Sequence, residues 1–216
     1  GFFGRCGARA LNRLQAHKSA IETSPLSVDV KRSLEWLLGY FDRAGPRVIN
    51  CAGGLEPLHL FTDGACEPEV VTVGGVLLEQ DHLPEAFGEK VPSRIVRRWR
   101  SGRSWQVVAQ AELAPVYIAA VMWGDRIKGR QIVVWLDQNA AKQGLIKGYS
   151  PSLMSSEIID VALEALADLK VFPWFTRVPT DANVADFPSR LQWEKLSAVL
   201  PSVKRRAIPK SAWDRL

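Results

Sequence analysis

Four carboxylates occupy places where carboxylates are hard to justify structurally. Asp63 closes the apolar run LHLFTDG (58–64), and Asp137 closes RQIVVWLD (130–137). Glu112 stands at the start of a helical stretch spanning 106–123, and Asp186 stands in NVAD. Most of them have a bland reading. Asp63-Gly64 is a turn pair, Glu112 a partner for a helix dipole, and Asp186 a local cap. Asp137, directly after VVWL, has none so easy. Two carboxylates ~4 Å apart repel by roughly 4 kcal/mol at an effective dielectric near 20, so acids gathered at strand ends call for a cation. Carboxylate oxygens select hard ions, Mg²⁺ or Mn²⁺. If the two acid-ending strands lie side by side and parallel, both side chains emerge at one carboxyl edge, where α/β ligands bind.

The elements that must position these acids follow from periodicity. After the first apolar run, VVTVGGVLLE (70–79) is rich in β-branched residues, with Gly74-Gly75 marking a bulge or a close approach. A third strand is expected over 84–91. Between 92 and 103, Ile95, Val96 and Trp99 share a helical face, with Arg94, Arg97 and Arg98 mostly off it. In the 106–123 helix, Pro115 is tolerable only near the first turn. The run before Asp137 reads as a strand buried on both faces. Helices are expected over 139–147 and 152–169, the second capped by Ser152 with Leu153, Ile158, Val161, Leu163 and Leu166 inside. VFPWFTRV (171–178) reads as the last strand, at an edge because of Pro173. Asn183 then caps a final helix through Trp193 and Leu196. Three hairpin strands, a helix, a strand, helices, a strand and a helix make an α/β sandwich with antiparallel and parallel parts.

The 216 residues suit one domain with an appendage. Residues 7–20 have helical spacing, and Asp29 is placed to cap a second helix through Phe41. The Gly- and Pro-rich stretch 44–57 reads as a connector, so a boundary is set near residue 55. Three cysteines (Cys6, Cys51, Cys66) exclude a full disulfide framework. No apolar run approaches 18 residues, so no membrane partner is expected. The start, GFFGRCGARALNRLQ, reads as a cut from a longer polypeptide. Charge is polarised: residues 55–93 hold eight acids and one lysine, whereas RIVRRWRSGR (94–103) holds Arg94, Arg97, Arg98, Arg100 and Arg103 and no acid. Residues 201–216 form a basic tail with five cations and one acid. With a pI near 9.3, this clustering points to a polyanion, nucleic acid before membrane. The alternative, a solvated helix face, stands at even weight on charge alone.

Five segments carry a resemblance: FTDGAC followed by VGGVL, then QAELAPVYIAA, VVWLDQNAAKQGLIKG and RVPTDANVADFPSR. Over about 58–193 the chain resembles the ribonuclease H family, most closely the RNase H domains of retroelement reverse transcriptases of DIRS-like and LTR types. The order Asp, Glu, Asp, Asp matches the family quartet and differs from transposases and integrases, whose Glu comes last. The resemblance implies an RNase H-like three-layer fold: a five-stranded mixed sheet, ordered 3-2-1-4-5, flanked by helices. Residues 56–200 would be that domain, and 1–55 a thumb- or connection-like helical appendage.

It also implies the activity: metal-dependent hydrolysis of the RNA strand of an RNA–DNA hybrid. Two Mg²⁺ (or Mn²⁺) ions roughly 3.5–4 Å apart would be held by Asp63, Glu112, Asp137 and Asp186. Gly64, Ala65, Asn139, Arg190 and the five arginines of 94–103 would contact nucleic acid, and the polymerase domain of the same polyprotein would be a partner. The 2′-hydroxyl would be read near Gly64–Glu67 and Glu112. Departures from the family pattern are Gln138 after the third acid, a 179–185 loop without histidine, and Pro115 close behind Glu112. Two other readings remain open: a catalytically silent module that positions a hybrid, and an exonuclease on single strands.

Overall fold

The computed structural model describes residues 28–43, 56–68, 70–100 and 107–216. The helix expected over 7–20, the boundary near 55 and Arg103 lie outside the described residues. Helix α1 (Val28–Arg43) starts one residue before Asp29, which therefore falls inside its first turn and not at the cap. The chain then runs β1 (Leu58–Cys66), β2 (Val71–Leu78), β3 (Glu85–Lys90), α2 (Ser93–Arg100), α3 (Val108–Met122), α4 (Gly124–Ile127) and β4 (Gln131–Leu136). It continues as α5 (Asn139–Lys147), α6 (Leu153–Asp168), β5 (Phe172–Arg177), α7 (Asp186–Ser189), α8 (Trp193–Val199) and β6 (Lys204–Arg205).

The sheet order is β5-β4-β1-β2-β3-β6. Strands β1 to β3 pair antiparallel, and β4 and β5 run parallel to β1. This is the 3-2-1-4-5 order expected, with a sixth strand added. That strand comes from the segment read as a basic tail: Lys204 and Arg205 pair with Glu85 and Ala86 of β3. Beyond it, Ile208, Ala212, Trp213 and Leu216 are buried in the main core. The segment is built into the fold, because its apolar residues are interleaved with the cations that dominate its composition.

Helix α3 is the spine of that core. It is apolar on every side, as a helix enclosed all round must be. Ala111, Leu113, Ala114, Val116 and Ile118 are fully buried against β1, β2 and α6. Burying each of the larger ones contributes about 1.5–3 kcal/mol. Along β4 the burial alternates: Ile132, Val134 and Leu136 are buried in the main core, while Val133 and Trp135 are half-buried. An unbroken apolar run suggested cover on both faces, but the outer face is covered only in part. Trp135 instead stacks on Phe61, centroids 5.6 Å apart. A second, smaller core forms on that face over β2 and β3, where Val76 and Ala86 meet Ala185 and Leu196.

Of the two readings of Gly74-Gly75, a bulge or a close approach, the bulge is excluded, because the β1–β2 register runs unbroken through both. Two local expectations change. In α6, Ser152 caps by accepting from the Ser155 backbone N–H at 3.4 Å, but Leu153 is exposed. The final helix is two helices. Helix α7 closes at Ser189, and Leu191, at φ 58°, turns the chain before α8. Edge strand β5 carries Pro173 as expected. Among the described residues, no helix is long and apolar enough to cross a membrane.

Candidate active site

Asp63 lies on β1 and Asp137 directly follows β4, the parallel neighbour. Pairing between the two strands is last made at Phe61 and Trp135, so each acid sits two residues beyond it. Asp63 is therefore not at a strand end: β1 runs on to Cys66, paired there with β2 alone. Strand β4 stops, and the opened edge leaves room above it for the two carboxylates. Glu112 arrives from the second turn of α3, deeper than a helix-start position. One carboxylate oxygen from each of Asp63, Glu112 and Asp137 lies within 4.8 Å of the other two.

Gly64 explains how α3 comes so close. A Cβ there would run into the Ala111 carbonyl and lie 2.7 Å from the Glu112 nitrogen. Pro115 belongs to the same contact. It sits two turns inside α3, where proline removes a donor, so the carbonyl four residues back loses its helical partner. That carbonyl is Ala111, the one packed on Gly64. Proline does not pull Glu112 out of the cluster.

The electrostatics are those of acids crowded and buried together. Burial pushes the Asp63 carboxyl up to about 6; its bond to Ser189 opposes this, and Asp137 and Asp186 add to it. Burial pushes Glu112 up to about 9, helped by Asp63 and Asp137 and opposed by a backbone hydrogen bond from Gly64. Glu112 Oε2 is buried, with no hydrogen-bond partner among the described residues. A buried, unpaired carboxylate oxygen is costly, and a hard cation would satisfy it.

Asp186 stands outside this tight triad, yet its charge acts on both Asp63 and Glu112. It opens α7, and Arg190 Nε donates to its Oδ1 at 2.7 Å. Helix α7 rests on glycines. A Cβ on Gly74 would lie 2.7 Å from Ser189 Cα, and one on Gly88 would meet the Pro188 carbonyl. Those glycines and Asp63 stand in one row across β1, β2 and β3. Asn183 does not cap the helix as expected. Its side-chain oxygen accepts from the Ala185 N–H at 3.2 Å, and its Nδ2 donates to the Thr62 carbonyl at 3.2 Å, tying the loop to β1. Ser189, to which no role was given, is fully buried and its hydroxyl donates to Asp63 Oδ2. The only sequence signal for it was its place in the segment NVADFPSR.

The arginine run divides. Arg94 pairs with Asp214 at 3.2 Å and Arg98 with Glu157 at 3.4 Å. Arg97 is exposed on α2. Among the described arginines of the run, Arg100 is the one whose charge is felt beside the triad: partial burial raises the Cys66 thiol to about 11, Glu112 adds to this and Arg100 opposes it. Gly64 and Ala65 lie on β1 next to the acids, and Asn139 is exposed at the first position of α5, just past Asp137. Glu79 and Glu85, part of the acidic stretch, are consumed elsewhere. They pair with Arg126 at 2.7 and 3.2 Å, at the other end of the sheet.

No protein-family model matches the chain. No curated protein matches it. Solved structures do. The RNase H1 of the halophilic archaeon Halobacterium salinarum NRC-1 matches with a TM-score of 0.50 and 20% identity, over 65% of this chain and 99% of that one. The fold is RNase H-like. LC11-RNase H1, isolated from compost by a metagenomic approach, gives a TM-score of 0.46 at 14% identity, over 64% of this chain and 96% of its own. The same enzyme in complex with an RNA/DNA hybrid gives 0.44 at 14% identity, over 61% and 92%. An RNase H-like fold hosts many activities, so the site has to carry the functional reading.

Proposed function

We propose that this chain is a metal-dependent endoribonuclease that cleaves the RNA strand of RNA–DNA hybrids. The observation that carries the reading is the carboxylate triad of Asp63, Glu112 and Asp137, gathered within 4.8 Å at the edge of an RNase H-like sheet. All donors are hard oxygens, and Glu112 Oε2 is orphaned, so the residues fit a divalent cation such as Mg²⁺. Asp63, Glu112 and Asp137 would hold it, and Asp186 would complete the ligands for a second ion. Ions bound there would acidify a water and stabilise the leaving oxygen.

The rest is the work of the chain. The backbone of Gly64–Cys66 and the Glu112 carboxylate border the place of the scissile ribose, where a 2′-hydroxyl separates RNA from DNA. Arg97 and Arg100 of α2 would hold backbone phosphates beside it. Arg190, paired with Asp186, would hold that carboxylate in place. The segments FTDGAC and RVPTDANVADFPSR support placing the domain in a retroelement reverse transcriptase, next to the polymerase of the same polyprotein.

The test is cleavage of a labelled hybrid in Mg²⁺ by this chain and by Asp137→Asn. Cleavage of the RNA strand alone by the first, with a loss of 10³-fold or more in the second, is expected, since the substitution is near-isosteric and removes a ligand charge. Hybrid binding without cleavage would make the chain a silent positioning module. Preference for single strands would overturn the substrate assignment.

A further inference from the structure

The four acids come from four separate segments, and among the described residues one hydrogen bond between side chains joins α7 to the rest of the site. On one side stand β1, α3 and β4 with Asp63, Glu112 and Asp137. On the other stands α7 with Asp186. The link is Ser189, the last residue of α7, whose hydroxyl donates to Asp63 Oδ2 across 126 residues of sequence. The same hydroxyl lies 2.9 Å from the Asp186 backbone carbonyl. It has one hydrogen, and a charged carboxylate is the stronger acceptor.

Ser189 is held from below and from within its helix. Its backbone N–H donates to the Ala185 carbonyl at 3.0 Å. Its Cα rests where Gly74 has no side chain, and Gly74 is the cross-strand partner of Asp63. The side chain is fully buried, so no water competes for the hydroxyl. A donor so fixed determines which way the Asp63 carboxylate turns. With Oδ2 engaged by Ser189, the remaining lone pairs of the carboxylate are left for the space shared with Glu112 and Asp137.

We propose that Ser189 is a positioning residue of the metal site. Its hydroxyl sets the Asp63 carboxylate toward Glu112 and Asp137 and couples that carboxylate to α7, which carries Asp186. The inference rests on the reading of the triad as a cation site. Residues that orient a metal ligand commonly change metal affinity or activity by about 10–100-fold when removed. Ser189→Ala deletes one oxygen and leaves the helix, the glycine seat and all four acids in place.

The experiment is a calorimetric Mg²⁺ titration of the whole chain, without nucleic acid, beside Ser189→Ala and Ser189→Cys. Melting in EDTA establishes that each variant is folded. Binding by the wild type, weakened about tenfold or more in Ser189→Ala and partly restored by the weaker thiol donor of Ser189→Cys, is the expected result. The same order should appear in the Mg²⁺ concentration that half-saturates cleavage, with KM for the hybrid unchanged. Wild-type binding matched by Ser189→Ala would overturn the role of Ser189 and leave the metal site standing. No Mg²⁺ binding by the wild type would overturn both. If Ser189→Ala fails to melt cooperatively in EDTA, the hydroxyl holds the fold together and the positioning role is lost.

Discussion

Asp63 and Glu112 set the behaviour of the site with pH. Their carboxyls sit at about 6 and about 9, above the ordinary values of 3.8 and 4.5. Between those limits the folded chain holds protons that the unfolded chain has released. Without metal, this part of the stability is whole below the unfolded values and is lost as pH rises through 6 and on toward 9. Cations compete with those protons. The rise in Tm caused by Mg²⁺ should therefore grow from pH 6 to pH 9, reaching roughly 2.7 kcal/mol of stabilisation at ~100 Kd of ion. Melting in EDTA and in Mg²⁺ across that range measures it. Glu112→Gln, which cannot ionise, should flatten the fall in EDTA. A Glu112→Gln protein with the same pH slope as the wild type would remove Glu112 as its source.

At the scale of elements, the seat of α7 and the α2 arginines are the parts to test. Gly74→Ala puts a methyl 2.7 Å from Ser189 Cα and 2.9 Å from the Pro188 carbonyl carbon, both backbone atoms that cannot rotate away. Overpacking of this kind costs about 1–3 kcal/mol. Relief requires α7 to lift, carrying Asp186 and Ser189 from the triad. A lower Tm together with a large fall in kcat is expected. Gly129→Ala is the control: its φ is +71°, with open space around the added carbon, so backbone strain should lower Tm and leave kcat alone. For the arginines, hybrid binding measured against salt separates the roles. Arg97→Ala or Arg100→Ala should each reduce the log–log salt slope by roughly 0.9, the value for one duplex phosphate contact. Arg94→Ala and Arg98→Ala should change it less, because those side chains already face Asp214 and Glu157. Equal slopes for all four variants would leave the run a solvated face.

Across the whole molecule, the C-terminal segment closes the structure. It adds β6 to the edge strand β3, packs Trp213 against α3 and buries Leu216 in the same core. Trp213→Ala should cost about 3–5 kcal/mol, a core-sized loss, read as a drop in the denaturation midpoint. A peripheral tail would lose almost nothing. Since α3 carries Glu112, looser packing there should also weaken Mg²⁺ binding. The basic residues of the segment are partly committed inside the fold. Arg206 pairs with Glu85 at 3.3 Å, Arg215 with Glu164, and Arg205 lies 4.3 Å over the Trp193 ring.

Local order was legible because neighbours encode it. Apolar runs gave β1, β2 and β4 within a residue or two. Helical spacing gave α5 and α6, and Pro173 gave the edge position of β5. The sequence also marked Asp63, Glu112 and Asp137, whose oxygens the fold brings within 4.8 Å of one another, since a carboxylate after VVWL has no structural purpose of its own. What neighbours cannot encode is close approach between distant segments. Gly74-Gly75 read as a bulge or a close approach; it is a close approach, but the sequence does not show that α7 is what lies on Gly74. Asn183 read as a cap because its second partner, the Thr62 carbonyl, is 121 residues away. Ser189 had no role until the fold brought it to Asp63. The run 201–216 read as a charged tail because charge is counted along the chain, whereas burial is decided by which residues of a short segment face a core assembled from elsewhere. The sequence determined which residues could hold a cation. Only the packing of α3 on Gly64, and of α7 on Gly74 and Gly88, decided that their oxygens meet.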